Sequence, residues 1–354
     1  MTYRSLIKIT FFVFFTFNYF NCIILTNNNF KGEIFMFMKK FLAIFTTIAI
    51  ISTNALVATA NPKTIPTKDI SSYTVQELRD IFKEHCIENN LILTENTPKY
   101  EKYLRDFLLD ENYSTNNTER IKQIRAYAAI YLNRDYLSTE NNSNNNLVKN
   151  SLLKNNSLDS LTVTDIKSIT EEDDRISKNE MLKSYRSYSG YSPSLAISYA
   201  KKHAKSPNSS YADFTNYGGD CTNFVSQAIF AGKVKQVVGS NYGTNGWFYK
   251  TSTNRSATWT GANEFGNYWR GKVGYVSGRY KTDIIPRAKA GDVIQYKEGA
   301  TGLRYHSLIV TEKLTNDLNI AQRTDNYVGS WVNRGGIPNH GGYETYFDLV
   351  KFAS

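Results

Sequence analysis

Residues 217–233, YGGDCTNFVSQAIFAGK, place a cysteine where thiol chemistry is favoured. Cys221, Phe224, Val225, Ala228 and Ile229 recur at i, i+3, i+4, i+7 and i+8, which predicts one apolar helix face ended by Gly232. Asp220 stands as the N-cap, and Gly218 and Gly219 permit a sharp entry without side chains. A thiol on the first helical residue meets unpaired backbone N–H groups and the positive end of the helix dipole, both favouring the thiolate. The same N–H groups can hold an oxyanion, so Asp220 and the helix start form a candidate oxyanion turn. A buried core cysteine fits the same stripe, so the helix alone does not decide.

A thiol nucleophile needs a base, and the chain offers four histidines. His85 lies in a helical pattern, His203 sits among lysines in AKKHAK, and His340 is in a Pro/Gly loop. His306 opens YHSLIVTE, where alternation puts His306, Leu308 and Val310 on one strand face. If that face packs on the central helix, the imidazole points towards Cys221. Trp247 and Trp259, with Trp269 and Tyr268, are candidates for lining a peptide or glycan groove, although core packing explains such aromatics too. There is no Gly-x-Ser-x-Gly elbow, His-Glu-x-x-His, paired Cys-x-x-Cys or phosphate loop, so no metal or cofactor is expected.

These residues need elements to position them. Three helical patterns run from 72 to 133, opened by Thr74 with Glu77, by Pro98, and by Thr118. Residues 61–137 therefore read as a helical region. Residues 138–180, rich in Asn and Ser and poor in aromatics, read as a linker open to proteases. Residues 181–354 read as an α+β domain: a leading helix, the Cys221 helix, and strand-like runs GDVIQY, YHSLIVTE, LNIAQRT and YETYFDLV that form an antiparallel sheet.

The first sixty residues read differently. From Met38, two lysines, an apolar run and Ala58-Thr59-Ala60 form a bacterial secretory signal over 36–60. Residues 1–35 then read as mis-called upstream translation. The expected mature chain is secreted and has no membrane span; it keeps only Cys86 and Cys221, too few for a disulfide framework. The chain carries 42 Lys and Arg against 32 Asp and Glu, and the charge is unevenly placed. Residues 183–354 hold 21 basic and 11 acidic side chains, whereas residues 61–182 hold 16 and 20. Outside a cell such a basic domain meets anionic wall polymer more often than nucleic acid. A monomer is expected.

GGDCTNFVSQAIFAGK, with SATWTGANEFGNYW, GDVIQY and YHSLIV, resembles the putative amidase domain family, a bacterial branch of the papain-like cysteine hydrolases related to the CHAP wall-lytic domains. The resemblance covers about residues 185–350. It implies a papain-like fold, Cys221 as nucleophile and His306 as its base. It also implies a polar third residue on the next strand, where this chain reads AQRTDN. Arg323 occupies the expected position and has no acceptor for an imidazole N–H, which leaves Asp325 or Gln322. The activity expected is amide hydrolysis in peptidoglycan peptides. The alternatives are a wall-binding module that keeps the fold without catalysis, and a thiol acyl- or peptidyl-transferase.

Overall fold

Capping residues set where the N-terminal helices begin. Thr74 and Glu77 close a reciprocal capping box at Val75–Glu88 (α1). Thr97 caps Pro98–Leu109 (α2), with Pro98 at its first turn, and Thr118 caps Glu119–Leu132 (α3). The short Arg134–Ser138 (α4) follows directly. The computed structural model describes residues 68–110, 118–138, 146–184, 188–333 and 345–353, the side chains of 180–184 excepted. The expected upstream and signal segments and His340 lie outside the described residues. Lys68–Ser354 form one compact unit.

The linker expected over 138–180 is corrected by two helices, Leu147–Asn155 (α5) and Val163–Ser184 (α6). Composition misled here because the few apolar residues are spaced to share one core. Leu161, Val163, Ile166 and Ile169 are fully buried in the same core as residues of α1 and α3. Asparagine also does structural work: the Asn146 side chain accepts from Lys149 N and donates to Ile169 O and Asp173 Oδ1.

Pro193–His203 (α7) and Cys221–Ala231 (α8) come next. A short hairpin, Tyr249–Thr251 (β1) and Asn254–Arg255 (β2), precedes Ala257–Thr260 (α9) and Ala262–Arg270 (α10). The strand Gly274–Gly278 (β3) and the turn Lys281–Ile284 (α11) lead to Val293–Glu298 (β4), Arg304–Lys313 (β5), Leu318–Gln322 (β6), Tyr327–Ser330 (β7) and Thr345–Lys351 (β8). Strands β3 to β8 form one antiparallel sheet in the order β3-β8-β4-β5-β6-β7. The α+β architecture is thus a central helix on an antiparallel sheet.

Both faces of this sheet are covered, so its strands are apolar on both sides. Val293, Ile309, Ala321 and Val350 pack with α7, α8 and the aromatic cluster around Trp269. Ile294, Tyr296, Leu308, Val310, Ile320 and Phe347 pack with the N-terminal helices. The register agrees: Val293 pairs with Ile309 and Val350, and Ile294 with Leu308 and Leu349. Gly232 ends α8 because space demands it, since a Cβ there would lie 2.5 Å from the Tyr191 ring.

Candidate active site

The turn before α8 takes its shape from two glycines in the left-handed region, Gly218 at φ +77° and Gly219 at φ +112°. Asp220 occupies the N-cap position, but its side chain makes no capping bond. Its Oδ1 accepts from Phe214 N and Asn223 Nδ2, at 3.0 and 2.8 Å. Its Oδ2 lies 2.7 Å from Arg323 Nε. The expected cap is therefore corrected to a buried ion pair. Arg323 also reaches Asp213 at 3.1 Å, and Asp220 N donates to Thr324 Oγ1 at 2.9 Å, so the chain just after β6 holds the cysteine turn.

Cys221 is 6% exposed and lines a cavity of about 520 Å³. Burial pushes its thiol above the ordinary range, opposed by the Ser307 main-chain N–H, the Thr222 hydroxyl and Arg105. The expectation that the helix start alone favours the thiolate omitted this desolvation. Thr222 Oγ1 and Ser307 Oγ are 2.9 Å apart, and Gln295 Nε2 donates to Ser307 Oγ at 3.0 Å. A hydrogen-bonded chain therefore locks the start of α8 onto β5 and β4.

His306 is fully buried on β5. Its register partner is Tyr296, and the two rings are 5.2 Å apart. His306 Nε2 lies 3.2 Å from Gln322 Oε1, and Gln322 Nε2 donates to Asp325 O at 3.1 Å. Gln322, one of the two candidates for third residue, meets the imidazole with its side chain. The expected face is corrected: the central helix packs on the Ser307 and Ile309 side, whereas His306 shares the side of Tyr296 and Leu308. Alternation identified the residues sharing a face but not which side the helix covers. The start of α8 meets β5 at Ser307, one residue after His306, through the Thr222–Ser307 hydroxyl pair.

Trp247 and Trp259 are also corrected. Both are fully buried and neither lines the cavity. Their rings lie 4.6 Å apart and tilted by 33°, and their indole N–H groups donate to Ser226 Oγ and Asn223 Oδ1 on α8. Their part is to seat the central helix. His85 on α1 bonds the Tyr103 hydroxyl on α2 at 2.8 Å, and His203 packs on Tyr199.

The cavity also contains residues that sequence reasoning passed over. Glu264, in the first turn of α10, is partly buried, and burial pushes its carboxyl up to about 7, with Asp135 and Asp173 adding and Lys149 opposing. Arg255 lies over the Phe214 and Tyr242 rings at 4.4 and 5.0 Å on another wall. Leu132 to Ser138 supply part of the lining, so the N-terminal helices belong to this cavity. No signal at these positions separates them from ordinary surface charge. Among the described residues, no group of three or more His, Cys, Asp or Glu is arranged to hold a metal ion.

Two proteins of Bacillus subtilis (strain 168) are similar to this chain. Uncharacterized protein YjcM is 28% identical over 180 residues, 49% of this chain and 40% of that protein. Uncharacterized protein YhbB is 32% identical over 141 residues, 38% of this chain and 42% of that protein. The chain thus spans about two fifths of the length of these relatives. No solved structure matches. Residues 190–344, the stretch that carries Cys221, His306 and Gln322, match the model of the family described as "Putative amidase domain", an amidase-type hydrolase.

Proposed function

We propose that this protein is a secreted, papain-like cysteine amidase that cleaves amide bonds in peptidoglycan peptides. The observation that carries the reading is the position of Cys221, the first residue of the central helix and part of a cavity wall, within the stretch that matches the amidase family. The excess of basic side chains in residues 183–354 supports an anionic wall polymer as the partner.

The chemistry starts from a protonated thiol, because burial raises it. With Nε2–H donated to Gln322 Oε1, Nδ1 is the basic nitrogen of His306. In this reading His306 takes the Cys221 proton as sulfur attacks the substrate carbonyl carbon and the carbonyl electrons move onto oxygen, a transfer that has to pass round the β5 main chain because the imidazole lies on the Tyr296 side and α8 on the other. The Cys221 N–H at the start of α8 stabilises that oxyanion. Collapse breaks the C–N bond, His306 returns the proton to the leaving amine, and water then releases the acyl group from sulfur. What supports the pairing is the Thr222–Ser307 bond, which seats the start of α8 on β5 one residue from His306, rather than a shared sheet face.

The test is incubation of the full chain with purified sacculi and soluble muropeptides, with products weighed by mass spectrometry. New free amines are expected from the wild type and none from Cys221→Ala or His306→Ala. Cleavage retained by Cys221→Ala would overturn the reading. Sacculus binding without cleavage by any form would favour a binding module, and a product carrying an added amine acceptor would favour a transferase.

A further inference from the structure

We infer that Arg105, carried by α2, is a positioning residue that holds negative charge on Cys221 during the reaction. The inference rests on Cys221 being the nucleophile and adds a cation from outside the stretch that matches the amidase family.

Arg105 is 1% exposed, and its Nε and Nη1 make no hydrogen bond among the described residues. Its nearest carboxylate oxygen among the described residues is Asp106 Oδ1, at 4.0 Å. Asp106 is itself half-exposed and paired with Lys102. A buried guanidinium so weakly compensated is costly unless a negative charge arrives beside it. What it faces is the cysteine turn. A Cβ at Gly219 would lie 3.1 Å from Arg105 Cδ and 3.4 Å from Nη1, so glycine is what lets the turn come so close. Arg105 and Cys221 are coupled electrostatically from both sides: the cation favours the thiolate, and the thiolate favours the cation.

The other charges around the turn are already engaged. Asp220 is paired with Arg323, which also holds Asp213. Glu101, on the same helix as Arg105, pairs with Arg134 at 2.6 Å. His306 on β5 is bonded to Gln322. Glu264, Asp135 and Arg255 contribute from the cavity walls. Among the described residues of this group, Arg105 is the fully buried cation whose nearest carboxylate is as far as 4.0 Å; Arg255 is partly exposed and lies over aromatic rings.

The experiment is the pH profile of Cys221 alkylation by iodoacetamide in the full chain, read at the Cys221 peptide by mass spectrometry, for wild type, Arg105→Met, Arg105→Gln and Arg105→Lys. Arg105→Met is expected to move the labelling midpoint up by about one pH unit, which is about tenfold slower labelling at any pH below both midpoints. Arg105→Lys is expected to keep most of the wild-type midpoint, a rescue by charge that packing alone would not produce. Should Arg105→Met lose its near-ultraviolet circular dichroism, Arg105→Gln carries the same expectation. Midpoints unchanged in the folded neutral variants would overturn the inference while leaving the nucleophile reading intact. That reading fails separately, if Cys221→Ala still cleaves substrate.

Discussion

Arg323 Nε lies 2.7 Å from Asp220 Oδ2 with both side chains buried, so the strand that follows His306 in the sheet ends by gripping the turn that presents Cys221. Two segments about a hundred residues apart are thereby held in one geometry. Removing one partner leaves a buried charge without compensation, which costs about 3–5 kcal/mol.

Arg323→Met is therefore expected to lower the free energy of unfolding by that amount in urea titrations. The double variant Arg323→Met with Asp220→Asn is expected to recover most of it, because the stranded carboxylate is gone. Strictly additive losses in the double variant would show that the two side chains do not act as a pair.

Gln322 is expected to act through His306. Gln322→Ala removes a buried hydrogen bond to the imidazole and should cost about 1 kcal/mol of stability, with a larger relative loss in amide cleavage because the tautomer is no longer fixed. Gln322→Glu places a carboxylate at the same nitrogen, which favours the imidazolium. The acid limb of the pH–rate profile should then move to higher pH. A profile unchanged in Gln322→Glu would separate this contact from catalysis.

Most of the sheet was legible because β4, β5, β6 and β8 are apolar runs bounded by turn residues. The helix at Cys221 was legible from its spacing, its glycine entry and its glycine stop. The face that α8 covers was not, because strands buried on both sides carry no inside–outside contrast: Leu308 and Ile309 are equally apolar and pack in different cores. The helices at 147–155 and 163–184 were obscured by Asn and Ser, whose caps and buried contacts are set by tertiary packing rather than composition. Arg105 had no local signal at all, because what matters is the approach of Gly219 from 114 positions away.

Cutting away the N-terminal helices should ruin the domain that matches the amidase family. Leu308, Val310, Ile320, Phe347 and Tyr296 pack in one core with α1 to α3, and Arg125 on α3 donates to Thr345 Oγ1 at 3.0 Å. A chain beginning at residue 188 would expose that whole sheet face. It is expected to bind the dye ANS strongly and to lose near-ultraviolet circular dichroism, whereas the full chain binds little dye. A monomeric truncated chain that keeps its near-ultraviolet signal and cleaves substrate would refute this.

Glu264 should make stability depend on pH across neutrality. Its carboxyl is raised to about 7 in the folded protein, chiefly by burial, against about 4.3 in an unfolded chain. Between those values the folded state binds the extra proton, so the stabilising contribution is fully present below about pH 4.3 and lost as pH rises through about 7. The size is about 2–3 kcal/mol, reduced because the side chain is only partly buried. Glu264→Gln removes the titration and keeps an oxygen that can accept the first-turn N–H. The difference in stability between pH 5 and pH 8, measured by urea unfolding, should therefore be smaller in Glu264→Gln than in wild type, with the variant the more stable at pH 8. Parallel pH dependences would mean that this carboxyl is ionised in the folded protein throughout, and that the cavity beside Cys221 keeps one charge state over the range in which the thiol must react.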